Sequence, residues 1–522
     1  MKQLPFTGWP ESAMENLSGR AYPAMASRLT REFYNADIGV TGLAAGDHLC
    51  YTQGTEFVLD SFRVDMGLSA GAKKLLLLGE EVLILPDKKY INLMDLSWGT
   101  VEVSFRAECR CSLCDPTGKV YALNYDSAAQ PAAPVCGEYW VDTTLWPPVL
   151  RQFDPNGRWA AVKDTCVRVE AAGIGRHFAV GDGITVTGSA LSGHKTVRAR
   201  GTDHIVVDGI LGQSVTETLT VQRLLPEMDH IAACGGRLWG CRYTQGENRI
   251  YCSRLGDCRN WYAYGGGDTD AWQACVGVPG AFTGVAAVGD TPVFFKEKWL
   301  LRITGSTPGT FRVSTEPGRG VRAGCEASLA LAGEKLYYCS ATGIMALSGS
   351  GSLRCVLPGD FRQAAGGGIG GSYYVSLRAG EQTQLLVYDT VHDLWHREDD
   401  LQAADFTEHQ GALYCIAYNR ILRLAAAVPD ENLPWYLETP PQCLEAPGRL
   451  GQVTVCLELE PLSRATLLVS YDGGPWERIA QCGKPGLHTY TAMTRCRACR
   501  HYRLRLEGNG GAVIRSIRAD AH

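Results

Sequence analysis

Two stretches decide the fold: Asn248-Arg-Ile-Tyr-Cys-Ser-Arg-Leu-Gly-Asp-Cys-Arg-Asn-Trp261 and, some thirty residues on, Val293-Phe-Phe-Lys-Glu-Lys-Trp-Leu-Leu-Arg-Ile-Thr-Gly305. Each is a short run rich in β-branched and aromatic residues that closes on a Gly, Asp or Asn turn, the pattern of a strand and not of a helix. Neither contains anything that resembles a catalytic motif.

The same grammar recurs outward from these stretches. Ala232-Ala-Cys-Gly-Gly-Arg-Leu-Trp-Gly-Cys241 leads into Arg249-Ile-Tyr-Cys-Ser253, and Leu329-Ala-Leu-Ala-Gly-Glu-Lys-Leu-Tyr-Tyr338 into Gly343-Ile-Met-Ala-Leu347. Tyr373-Tyr-Val-Ser-Leu377 precedes Leu385-Leu-Val-Tyr-Asp389 and Trp395. Ala412-Leu-Tyr-Cys-Ile416 precedes Arg420-Ile-Leu-Arg-Leu424. Toward the N-terminus, Leu75–Asn92 reads as two strands around Gly79-Glu80 followed by a turn at Pro86-Asp87. A unit of roughly forty residues is the length of one four-stranded propeller blade. Five such units between about 228 and 440, with one or two between about 38 and 105, predict a propeller of six or seven blades. A pair of stacked β-sandwiches is the alternative arrangement of the same strands.

The pattern breaks in three places. Residues 1–37 read as an extended N-terminal arm, because Pro23 biases Tyr22 away from the helical region. Between 145 and 225 the alternation in Phe178-Ala-Val-Gly-Asp-Gly-Ile-Thr-Val-Thr-Gly188 and in Asp203-His-Ile-Val-Val-Asp-Gly209 predicts a small β-barrel or sandwich. This module interrupts a propeller whose first part is 38–144 and whose remaining blades are 226–440. Past Pro440-Pro441, residues 447–522 alternate as a C-terminal β-sandwich. No long helical period appears, so the expected class is all-β.

Composition narrows the function. A length of 522 residues gives material for two or three units. Sixty glycines and 24 prolines imply many turns, and 45% hydrophobic residues exclude a disordered chain. The formal net charge of −5 argues against a dedicated nucleic-acid binder, although it suits a conduit past which DNA slides. No apolar run approaches the roughly 18–20 residues that span a bilayer. The opening Met1-Lys-Gln-Leu-Pro-Phe-Thr-Gly-Trp-Pro10 shows no secretory h-region, so synthesis and folding in the cytoplasm are expected.

Twenty cysteines lie scattered through strand-like runs such as Leu336-Tyr-Tyr-Cys-Ser340, where a thiol behaves as a small core hydrophobe. Cys109-Arg-Cys-Ser-Leu-Cys114 and Cys496-Arg-Ala-Cys499 each contain C-x-x-C, but they fall in different expected domains with no His or third pair beside them. Reduced thiols, no disulfide and no zinc are the expectation.

Other constellations invite chemistry and resist it. Ser470-Tyr-Asp-Gly-Gly-Pro-Trp476 resembles the Asp-box of sialidase-like propellers but is one residue short, and it reads as a hairpin turn. Trp395-His-Arg-Glu-Asp-Asp400 reads as a solvated loop after a blade strand. Gly265–Gly267 and Gly366–Gly371 lack the Gly-Lys-Ser/Thr ending of a phosphate cradle, and read as turns where neighbouring subunits approach. Arg242, Arg249, Arg254 and Arg259, interleaved with Glu247 and Asp257, read as a protein–protein rim. No catalytic, cofactor-binding or metal residue is named.

Several segments jointly carry a resemblance: Pro86-Asp-Lys-Lys-Tyr90, Arg237-Leu-Trp-Gly240, Ile250-Tyr-Cys-Ser-Arg-Leu-Gly-Asp257, Phe294-Phe-Lys-Glu297, Trp395-His396 and the opening Ser12–Arg28. The chain resembles a family of tailed-phage virion structural proteins, the packaged-DNA stabilisation or tail nozzle β-propellers. The resemblance implies a non-enzymatic tail or neck protein without cofactor. It would form a homo-oligomeric ring lining or closing the DNA exit channel, with other tail or neck proteins as partners and only passive contact with DNA. Its place would be the virion tail, after synthesis in the host cytoplasm. A tail-tip propeller that binds a receptor or glycan is the alternative.

Overall fold

The computed structural model describes residues 2–4, 8–425, 432–495 and 497–521. Among them there is no α-helix, only strands and three single-turn 3₁₀ segments. The chain divides into two compact units, Leu75–Gly318 and the residues before and after it.

In the outer unit, four four-stranded antiparallel sheets follow the blade pattern, each strand pairing with the next in sequence. They are Val40–Ala45 to Phe62–Asp65, Ala330–Ala332 to Leu353–Pro358, Gln363–Ile369 to Leu394–Asp399, and Ala404–His409 to Arg420–Leu424. The last has only three strands of its own. Its fourth is Glu32–Phe33, which pairs with Arg423 and Leu422, so a segment near the N-terminus completes the blade built by residues 404–424. The first strands of adjacent sheets pack side by side, and they are rich in Gly and Ala. The inner unit holds three more blade sheets: Lys74–Leu78 to Trp98–Thr100, His230–Cys234 to Trp272–Cys275, and Phe282–Val288 to Arg312–Pro317. Seven meandering blade sheets, and not two stacked sandwiches, account for the forty-residue grammar.

The inserted module is larger than the alternation at 145–225 indicates. A closed six-stranded barrel takes Val103–Cys114 as its first strand, paired with Val215–Arg223 over nine residues and with Cys166–Glu170 on its other side. Residues 103–114 therefore belong to the barrel and not to the propeller. The reason lies in the alternation Val103, Phe105, Ala107, Cys109, Cys111, whose apolar members line the barrel core with Val167, Val169, Val207 and Leu219. Between its first two strands the barrel carries a further small sheet, Leu123–Ser127, Tyr139–Asp142, Val149–Phe153 and Trp159–Ala161.

The expectation for residues 1–37 is corrected as well. They are no free arm. Lys2–Leu4 and Met25–Ser27 pair with Ala512–Ala521, and Ala13–Glu15 pairs with Pro434–Glu438. The C-terminal module accordingly begins at Pro434 rather than 447, and consists of two sheets that share the long strand Gln442–Leu459. Leu4, Met14, Leu17 and Met25 sit in one core with Trp435, Val455, Leu467, Leu504 and Ile514. The apolar residues Leu4, Met14, Leu17 and Met25 of the N-terminal strands are thus buried in the sandwich of their own chain.

Candidate interaction site

The residues that carry the sequence pattern turn out to be structural ties. Arg237 is buried, and its guanidinium donates to the carbonyls of Ser253, Asp268 and Asp270 at 2.9, 2.8 and 2.6 Å. A guanidinium offers five donors in a fixed fork, so one side chain can hold the long loop after Asn248–Cys252 against its own blade. Lys296 plays a similar part between two blades. Its ammonium donates to Asn248 Oδ1 at 2.9 Å and to the Val278 and Gly280 carbonyls, and lies 4.2 Å from the Phe282 ring centroid. Burial pulls its pKa down to about 8.

The barrel is locked to its blade by a buried polar chain. Arg223 pairs with Asp182 at 3.0 Å and donates to the Val101 carbonyl at 2.9 Å. Asn260 accepts from the Gly183 N–H at 2.8 Å and donates to Asp257, which also pairs with Arg259. The Gly-Asp…Asn-Trp turn is therefore the joint between the inserted barrel and the propeller sheet, with Trp261 buried beneath it.

The remaining constellations resolve similarly. Arg242 pairs with Asp229, Arg249 donates to Gln273, Arg254 to the Gly181 carbonyl, and Arg259 approaches Glu81, so the four arginines staple their own unit instead of forming a free rim. Trp395–Asp399 is no solvated loop. It is the fourth strand of a blade, with Trp395, His396 and Glu398 buried and Glu398 and Asp399 holding Arg31. Burial pushes the His396 imidazole below its ordinary range. Of the run 366–371, Gly366–Gly368 lie inside a first blade strand and not in a turn, whereas Gly370-Gly371 form the turn that follows it. A Cβ on Gly368 would fall 1.6 Å from the Leu331 carbonyl oxygen, so the close approach is between adjacent blades of one chain. At 470–476 the hairpin reading holds: Ser470 Oγ donates to the Gly474 carbonyl at 2.7 Å, and Asp472 accepts from the Arg500 and His501 N–H groups. Gly267, at the end of the 265–267 run, donates its N–H to Asp270.

Of the nineteen described cysteines, fourteen are buried and all carry free thiols. Cys109 and Cys111 line the barrel core, and Cys499 that of the sandwich. Cys496 lies outside the described residues. Among the described residues no cluster of three or more His, Cys, Asp and Glu is placed to hold a metal ion, and no helix is long and apolar enough to cross a membrane.

What stands out instead is apolar and exposed. The loop between Tyr139–Asp142 and Val149–Phe153 presents Leu145 and Trp146, which are 48% and 93% exposed. The loop is held rigidly at its base. Asp142 accepts from the Thr144 hydroxyl and backbone N–H and pairs with Arg151 at 2.8 Å. One face of the small sheet packs on the barrel through Leu113, Tyr139, Val141, Leu150 and Ile210. On the other face Trp159 gathers Tyr125, Trp140 and Phe153 at centroid distances of 6.2, 5.4 and 5.2 Å. A tryptophan so exposed on so well-braced a hairpin is a ready anchor for a partner surface. Nothing in the sequence singles out Leu145-Trp146-Pro147-Pro148, because the exposure of its side chains is set by the sheet that holds the loop.

No protein-family model and no curated protein sequence matches the chain. Among solved structures it is similar to virginiamycin B lyase from Staphylococcus aureus, at 10% identity and a TM-score of 0.32, over 80% of this chain and 100% of that one. An exo-β-1,3-galactanase from Phanerochaete chrysosporium aligns at 9% identity and a TM-score of 0.23, over 56% and 95%. PorZ, a surface component of the type-IX secretion system of Porphyromonas gingivalis, aligns at 12% identity and 0.26, over 88% and 71%. At such values the likeness carries no argument about this chain.

Proposed function

We propose that the chain is a non-enzymatic structural component of a tailed-phage tail or neck, working as a closed homo-oligomer of the nozzle or DNA-stabilisation type. The observation that carries this reading is the rigidly held, solvent-facing pair Leu145–Trp146 on the inserted module. The ionisable residues of the resembling motifs support it, because Arg237, Lys296 and Arg259 are occupied in holding strands and loops. A propeller that spends its polar side chains on rigidity and exposes an apolar anchor is built for assembly. Head-to-tail contacts between identical chains close into a ring when the rotation permits, which suits a part that must encircle an axis.

The test is negative-stain imaging and mass photometry of the purified protein, with antibody labelling of purified virions. Rings of uniform stoichiometry and label on the tail or neck are expected, and Trp146→Ala should shift rings toward monomers without lowering the melting temperature. A wild-type protein that stays monomeric and is missing from purified virions overturns the reading.

A further inference from the structure

The outer face of the C-terminal sandwich carries a cavity of about 520 Å³ that none of the structural ties explains. Strand register builds it. Glu15 stands opposite Tyr436, Tyr436 opposite Glu507, and Glu507 opposite Thr466, so the four side chains form one row across four neighbouring strands. In the next row Asn509 stands opposite Arg464. Beneath the floor, buried Trp435 donates its indole N–H to the Gly510 carbonyl at 3.0 Å. Gly508 makes room for that ring, since a Cβ there would lie 2.5 Å from it.

We propose that this cavity binds an uncharged saccharide. The lining decides the class. Its two carboxylates are matched by two guanidinia, Arg464 and Arg505, so the cavity offers no net charge to an ionic ligand such as a phosphate polymer. Donors and acceptors instead alternate around it. Glu507 forms an ion pair with Arg505 at 2.9 Å and Glu15 accepts from Arg397 at 2.9 Å, which leaves carboxylate oxygen free to accept sugar hydroxyls. Thr466 and Asn509 both donate and accept. The Tyr436 ring, steadied by the Arg505 guanidinium 4.5 Å from its centroid, gives the apolar surface on which a pyranose face can rest. A volume of this size lies within the range of small-molecule sites. Binding here stands on the sandwich alone, so it holds or fails independently of whether the chain forms a ring.

The test uses the full chain on an array of hexose, N-acetylhexosamine and deoxyhexose oligosaccharides, followed by calorimetry with the best binder. The expected result is at least one saccharide bound with a dissociation constant of about 1 mM or tighter. Thr466→Trp, which fills the cavity, should abolish that binding, and Glu507→Gln should weaken it about tenfold. Arg464→Ala, a fully surface change, serves if Thr466→Trp fails to fold, and should also weaken binding. Leu462→Ala, on an exposed loop of the same module, should leave it unchanged. Failure of every saccharide on the array, or equal binding by wild type and the cavity variants, overturns the proposal.

Discussion

Arg31 sits between two carboxylates, 2.7 Å from Glu398 and 2.6 Å from Asp399, and all three side chains are largely withdrawn from water. Arg28 adds a longer contact to Asp399 at 3.6 Å and donates to Asn16 Oδ1 at 2.7 Å. The N-terminal segment is thereby clamped to the fourth strand of a blade immediately before it supplies Glu32–Phe33 to the next. Arg31→Ala takes the guanidinium from buried Glu398 and leaves Asp399 only the longer Arg28 contact, and breaking such a pair from one side costs about 3 kcal/mol. Urea denaturation should show a lower midpoint of that size. A midpoint unchanged from wild type means the clamp contributes nothing.

Deleting residues 2–30 removes more than a clamp. Leu4, Met14, Leu17 and Met25 leave the sandwich core, and each buried apolar side chain of this size contributes about 1.5–3 kcal/mol. Their sum approaches the whole margin of a typical domain, about 5–15 kcal/mol. The truncated chain should lose the C-terminal sandwich, seen as rapid proteolysis of residues after 432 by mass spectrometry. A truncated protein whose sandwich resists protease as well as wild type refutes this.

The blade grammar was legible because each blade is local: its strands follow one another through tight turns, and their apolar runs bury on both faces. The turns at Gly79-Glu80 and Pro86-Asp87 fall between strands as read. What sequence could not convey was long-range pairing. Glu32–Phe33 finds Leu422 and Arg423 across nearly four hundred residues, and nothing in its two residues announces that partner. Val103–Cys114 alternates plainly, yet its barrel partner lies a hundred residues away, so continuity with the preceding blade misassigned it. The charged run after Trp395 looked solvated for the same reason, its counter-ion Arg31 being equally remote. The sandwich cavity depends on which face each side chain takes, which only register reveals, and the exposure of Trp146 on how its loop is held.

Gly368 tests the close packing of neighbouring blades. Its missing Cβ is occupied by the Leu331 carbonyl oxygen 1.6 Å away, and the obstruction is backbone that cannot rotate aside. Gly368→Ala should therefore destabilise by about 3 kcal/mol or more, as overpacking at a rigid contact does. Gly349→Ala, where a Cβ meets open space, should stay within about 0.5 kcal/mol of wild type. Thermal melts of the two variants side by side decide the matter, and equal melting temperatures would count against the packing described.

Asp405 gives a pH prediction with a definite sign. It adopts a left-handed backbone, φ 48°, and accepts the Leu43 N–H at 2.9 Å, joining the first strands of two adjacent blade sheets. Burial pushes its carboxyl up to about 6, against which the Leu43 hydrogen bond and the Lys74 charge act only partly. Because the folded value lies above the unfolded one, the native state holds more protons between about pH 4 and about pH 6. This group's contribution to stability therefore falls as pH climbs through that window and stays low above it. Asp405→Asn keeps an oxygen for Leu43, tolerates the left-handed backbone and removes the charge. The variant should gain about 2 kcal/mol at neutral pH, a figure reduced from the full shift because the side chain is not wholly withdrawn from water, and should match wild type near pH 4. Urea melts across that range measure it directly: wild-type and variant curves that run parallel from acid to neutral pH would show that Asp405 does not titrate in the folded protein as argued.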